Sequence, residues 1–90
     1  MILRDEEHAL GARITLERGT HVAPYAITCG IYGCMMHTRF FSSDDEAGTQ
    51  YEAMKSALGA LIEAADKTVE TDGGRQILLD GVSRFIEDFP

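Results

Sequence analysis

The sequence predicts an α+β fold: a small antiparallel sheet of two to three strands, followed by two amphipathic helices packed on one of its faces. Three patterns lead to this reading. Residues 10–17 alternate between apolar and polar. Ser43 and Glu46 bracket a helix start that opens onto a long apolar stripe, and residues 78–89 repeat apolar side chains at helical spacing.

The strands come first in the chain. Leu10, Ala12, Ile14 and Leu16 fall on one side of an extended segment, and Arg13, Thr15 and Glu17 on the other, the period of a half-buried strand at about 10–17. Arg18-Gly19-Thr20-His21 supplies turn chemistry, and Pro24 suits a strand entrance. Residues 25–41 are rich in aromatic, Ile and Thr residues, but as one strand they would reach roughly 55 Å at about 3.3 Å per residue. Gly30 and Gly33 are the natural breakpoints, giving strands at about 25–31 and 34–41; a single strand bent at Gly33 is the alternative.

The helices follow. Ser43 and Glu46 match the capping box, and Asp44 and Asp45 carry negative charge where the helix dipole favours it. The helix is expected over about 44–66. Tyr51, Met54, Leu58, Leu61, Ile62 and Ala65 form its main stripe, with Ala53, Ala57, Ala60 and Ala64 as a second stripe alongside. Asp72 is a cap candidate for a second helix at about 74–88, whose apolar face carries Leu78, Leu79, Val82, Phe85, Ile86 and Phe89.

Ninety residues make one domain, and a chain this short needs an efficient core or a partner's help. Acidic residues outnumber basic ones 15 to 8, for a net charge of −7, and no segment gathers Lys and Arg. The field that attracts a phosphate backbone is therefore missing, and no nucleic acid partner is expected. Asp5 to His8 break any export-type apolar run, and the window from Tyr25 to Met36 is too short to span a bilayer. A cytoplasmic protein with no membrane contact is expected, with Cys29 and Cys34 reduced.

Few residues suggest chemistry. Cys29 and Cys34 lie five apart, wider than common metal or redox pairs, and are read as core thiols. Cys34-Met35-Met36-His37 offers soft ligands, but strand alternation splits the set, so no metal and no cofactor is assigned. Gly73-Gly74 lacks the strand and third glycine of a nucleotide fingerprint. His37 and Arg39 share one face of the last strand, and with Tyr32 or Tyr51 they form a candidate site for a small anion or carboxylate. The plain reading of Arg39 is an ion pair on a solvated sheet face.

No catalytic set is assembled by spacing, which leaves an enzymatic role open. The first reading is a non-enzymatic module that self-associates or binds a protein. The alternative is an anion-binding or enzymatic domain using His37, Arg39 and Tyr51. A homo-oligomer is expected, paired through a sheet edge or face, because the strand region from Tyr25 to Met36 has no charge to guard an edge and the second sheet face, bearing some of Tyr25, Ile27, Cys29, Ile31, Met35 and Met36, has no element left to cover it.

Overall fold

The computed structural model describes residues 1–66 and 72–90, apart from the side chains of 72–74. Four strands form one antiparallel sheet in chain order: β1 (Ile2–His8), β2 (Ala12–Arg18), β3 (Tyr25–Ile31) and β4 (Met35–Phe41). Two helices follow, α1 (Asp44–Asp66) and α2 (Asp72–Asp88). The architecture is α+β with four strands, not two to three.

The added strand is β1, and its sequence explains why it escapes a hydropathy reading. Residues Arg4-Asp5-Glu6-Glu7-His8 contain no apolar side chain, so a period of two in hydrophobicity cannot register there. The alternation exists in charge instead. Arg4, Glu6 and His8 point toward α1, and Asp5 lies on the other face, where the Arg13 guanidinium holds it. Gly11, at φ 105°, closes the β1–β2 turn by donating its N–H to His8 O at 3.0 Å. The register shifts between Ile2 and Arg4, a bulge that bends the outer end of β1.

Residues 25–41 form a hairpin, not one bent strand. Ile31 pairs with Met35, Cys34 N–H reaches Ile31 O at 2.9 Å, and Gly33 takes φ 75°, a conformation open to glycine and costly for a side chain. The start of α1 is capped by Ser43 Oγ, which accepts the Glu46 N–H at 3.2 Å. α2 begins at Asp72, two residues before the expected start, so Gly73 and Gly74 belong to the helix; the proposed Asp72 cap rests on a side chain outside the described ones.

The core lies between the sheet and α1. Ala12, Ile14, Leu16, Ile27, Cys29, Ile31 and Phe41 face Ala47, Tyr51, Met54, Leu58 and Ile62. Tyr25 and Met35 pack against this cluster half-buried. The expectation for the second sheet face is therefore corrected: of the six residues named for it, Met36 alone lies there. Register explains the difference, since Tyr25, Ile27, Cys29 and Ile31 are odd-numbered neighbours on one strand and must share a face. The uncovered face is mostly polar, with Arg13, Thr15, Thr28 and Thr38 across its middle.

α2 lies alongside α1 and brings Phe85 into the core, with Leu78, Val82 and Phe89 half-buried around it. It approaches α1 at Gly81, where an added Cβ would sit 2.0 Å from Leu61 Cδ1. The alanine stripe is not its seat: Ala53, Ala60 and Ala64 are exposed and Ala57 half-buried. α1 spans about 35 Å at 1.5 Å per residue, whereas a seven-residue strand spans about 23 Å. The far end of α1 thus overruns the sheet.

Candidate functional site

Three places in the fold gather chemistry. The first is a groove of about 620 Å³ between β1 and α1, walled by Glu6, His8, Lys55 and Glu63 over a floor of Ile14 and Leu58. Its polar groups are paired with one another. Lys55 Nζ meets Glu6 Oε1 at 2.8 Å, and Tyr51 donates its hydroxyl to Glu6 Oε2 at 2.6 Å. Arg4 reaches both Glu52 and Glu6, with its guanidinium 4.2 Å from the Tyr51 ring centre. These partners hold the Glu6 carboxyl below its usual range, chiefly through the Lys55 contact and then through Tyr51. Burial, reinforced by the Glu6 bond, raises the Tyr51 hydroxyl well above the ordinary phenol.

His8 closes the far end of the groove. Its Nδ1 accepts the Leu10 N–H at 3.1 Å, which puts the proton of the neutral ring on Nε2, facing Glu63 Oε1 at 3.1 Å. The whole set fastens the charged half of an edge strand, residues 4–8, to the helix above it. Each ion pair is partly exposed and individually weak.

The second place is the predicted His37–Arg39–Tyr51 cluster. The structure brings His37 and Arg39 together on the helix-covered face of β4, and each engages the end of the chain. His37 Nε2 donates to Phe89 O at 2.6 Å, and Arg39 Nε donates to Pro90 O at 3.1 Å. A second arm of Arg39 reaches Gln50 Oε1 at 2.7 Å, and its guanidinium lies 5.0 and 5.5 Å from the ring centres of Phe41 and Phe89. Arg39 is therefore packed and hydrogen-bonded, and no Asp or Glu side chain pairs with it among the described residues. Tyr51 lies apart from this pair, fully buried and bonded to Glu6 under β1. Tyr32 is also apart, exposed at the β3–β4 turn on the open face of the sheet.

The cysteines are separated as well. Cys29 is buried in the core, and burial pushes its thiol up to about 11 against the opposing field of Arg39. Cys34 sits half-buried in the turn. Among the described residues no group of three or more His, Cys, Asp or Glu is placed to hold a metal ion, and no helix is long and apolar enough to cross a membrane.

The third place is the outer flank of β4; the sequence points to an unguarded edge within Tyr25 to Met36, and the strand order places the free edge at β4. β4 is the last strand of the sheet, so one side of its main chain has no strand partner. Its open-face side chains are Met36, Thr38 and Phe40, of which Met36 is 81% exposed and Phe40 50%. No acidic residue occurs between Met35 and Phe41. The opposite edge differs in every respect: β1 carries Arg4, Asp5, Glu6 and Glu7, has a bulge, and is tied to α1 by its side chains. Charges and bulges are the usual means of keeping a sheet edge from pairing; β4 has no bulge, and its one Arg, Arg39, is turned to the helix-covered face and held by Gln50 and Pro90. The chain matches no protein-family model, no curated protein and no solved structure, so its function has to be read from this geometry.

Proposed function

We propose that this chain is a non-enzymatic module whose function is to bind protein, either its own kind or another, through the free edge of β4. The observation that carries this reading is the contrast between the two edges of the sheet. β1 is charged, bulged and braced, while β4 is a seven-residue strand whose outward main-chain groups, on alternate residues, have no strand partner, flanked by exposed Met36 and Phe40. A strand laid along such an edge gains main-chain hydrogen bonds and two apolar contacts at once. The net charge of −7 keeps the remaining surface soluble and directs association to the acid-free flank.

The small-molecule reading has less support. His37 and Arg39 already hold the Phe89 and Pro90 oxygens, so a carboxylate bound by that pair would first have to displace the end of the chain.

Native mass spectrometry of the protein drawn from its own cells tests the proposal. A complex heavier than the 9.9 kDa chain is expected, and Thr38→Lys, which plants a charge at the centre of the edge, is expected to release the single chain. A single chain in both cases, or a complex that Thr38→Lys leaves intact, refutes it.

A further inference from the structure

We propose that the occupant of the β4 edge is β4 of a second copy, paired antiparallel about a two-fold axis at Thr38, with the exposed stripe of α2 closing the seam beside it. This rests on the reading of β4 as a binding edge and names its partner.

The first argument is self-complementarity. Thr38 is the midpoint of Met35–Phe41. An isologous antiparallel pair centred there sets Thr38 opposite Thr38, and Met36 opposite Phe40 of the second copy, twice by symmetry. The two most exposed apolar residues of the strand thus cover each other on one face, and sulfur against an aromatic ring is a favourable contact. On the other face His37 falls opposite Arg39 of the second copy, each already held to its own chain's Phe89 or Pro90 oxygen.

The second argument comes from α2 and is independent of the strand. Leu79 is 47% exposed and Ile86 40%, although both belong to the apolar face of that helix. At 100° per residue, Leu79 and Ile86 lie on one stripe seven residues apart, with Val82 between them. Gly81 faces Leu61 on α1, and Phe85 and Phe89 face the core and β4. Leu79 and Ile86 lie beyond Phe85 in the direction away from Gly81, which places them on the side of α2 turned from α1, while the Phe89 end of the helix sits at β4. A two-fold axis normal to the sheet at Thr38 brings this stripe toward its copy.

Charge and area agree with the choice of occupant. Two chains of −7 repel over most of their surfaces, and β4 is the edge strand without acid. Met36, Phe40, Leu79 and Ile86 together expose roughly 400 Å² per chain, about half of the ~800 Å² per partner in a standard interface. Seven residues of edge main chain, Thr38 and the half-buried Val82 supply further contact. Pairing of β4 with β1 of another copy would set the strand against a bulge and the ionic brace, and would grow without closing.

The test uses the full chain. Sedimentation equilibrium from about 5 to 200 μM is expected to give twice the chain mass, and the exposed substitutions Phe40→Glu and Leu79→Glu are each expected to weaken the dimer at least tenfold. Register is read by oxidative cross-linking in a Cys34→Ser background, Cys29 being buried. Directly opposed residues have Cβ atoms about 4.5–5.5 Å apart, close to disulfide reach, so Thr38→Cys should cross-link at least tenfold faster than Met36→Cys. An equimolar mixture of Met36→Cys and Phe40→Cys should form the mixed dimer. A dimer in which Thr38→Cys cross-links no faster than Met36→Cys overturns the proposal while leaving self-association standing. A mass of one chain throughout, a series of growing oligomers, or a native complex containing an unlike chain on β4 overturns it too, and the last of these upholds the broader binding function.

Discussion

Replacing three helical glycines one at a time by alanine should separate local propensity from helix packing, because the space at each differs. At Gly48 nothing lies within 4 Å of a new Cβ, and at Gly59 the nearest atom is His8 Cδ2 at 3.9 Å, an ordinary contact. Both substitutions keep the backbone and reduce the freedom of the unfolded chain, a gain of about 0.5–1 kcal/mol each. For a domain of this size 1 kcal/mol moves the midpoint by about 4–8 °C, so rises of about 2–8 °C are expected. Gly81→Ala carries the same propensity gain, but its Cβ would sit 2.0 Å from Leu61 Cδ1, 3.3 Å from Cγ and 3.5 Å from Cδ2. Carbon atoms pack best at about 3.5–4.0 Å, so Leu61 must leave its rotamer or the helices must part. Overpacking of this kind costs about 1–3 kcal/mol, which outweighs the gain and leaves a net loss of roughly 0–2.5 kcal/mol. Thermal unfolding followed by circular dichroism at one fixed concentration reads the difference. Adding Leu61→Ala should relieve the clash and give a measurable coupling between the two sites. If Gly81→Ala raises the midpoint as much as Gly48→Ala, α2 does not pack on α1 at Leu61 and the reasoning fails.

Three further outcomes follow from the same contacts. Ser43→Ala should destabilise by about 0.5–2 kcal/mol through loss of the bond to the Glu46 N–H, with Ser42→Ala nearly silent in the same melt. Asp5 and Glu6 have carboxyls held below the ordinary range, by Arg13 and by Lys55 respectively, so their contribution is full above the ordinary carboxylate range, about pH 5, and is lost as pH falls through the depressed folded values. Lys55→Met should flatten the acid limb of a stability–pH curve, and an unchanged limb would remove the Lys55–Glu6 contact. A thiol reagent at pH 7.5 should modify Cys34 before Cys29, whose buried thiol lies near 11; equal rates in the native protein would contradict the burial of Cys29.

Much of this fold was legible because its elements obey local rules. Ser43 and Glu46 mark the start of α1 through backbone groups that need partners, a requirement visible in any sequence. Ala12 to Glu17 alternate because β2 has one face on the core and one in water, whereas Leu10, counted with that strand, lies exposed in the β1–β2 turn. β1 was hidden for the converse reason: it buries little, and its partners Glu52, Lys55 and Glu63 are about fifty residues away on α1. The interval of charges at Arg4, Glu6 and His8 was the available signal. The candidate site was partly visible. Alternation alone puts His37 and Arg39 on one face, but nothing local says that the carbonyl oxygens of Phe89 and Pro90 occupy them. Tyr51 was drawn into that cluster by residue type, while helical phase carries it to the β1 side of α1. The importance of the β4 edge is topological: it depends on which strand comes last in the sheet, a property of the pairing order and not of any motif.

Whether β4 is a binding edge is decided by the mass of the natural complex with and without a charge at its centre. The wild-type chain is expected to run as an assembly heavier than 9.9 kDa, and Thr38→Lys, with an unchanged melt when compared as isolated single chains, is expected to run at 9.9 kDa. An assembly that survives Thr38→Lys would place the interface elsewhere, and a lone wild-type chain at its natural concentration would contradict the binding function itself.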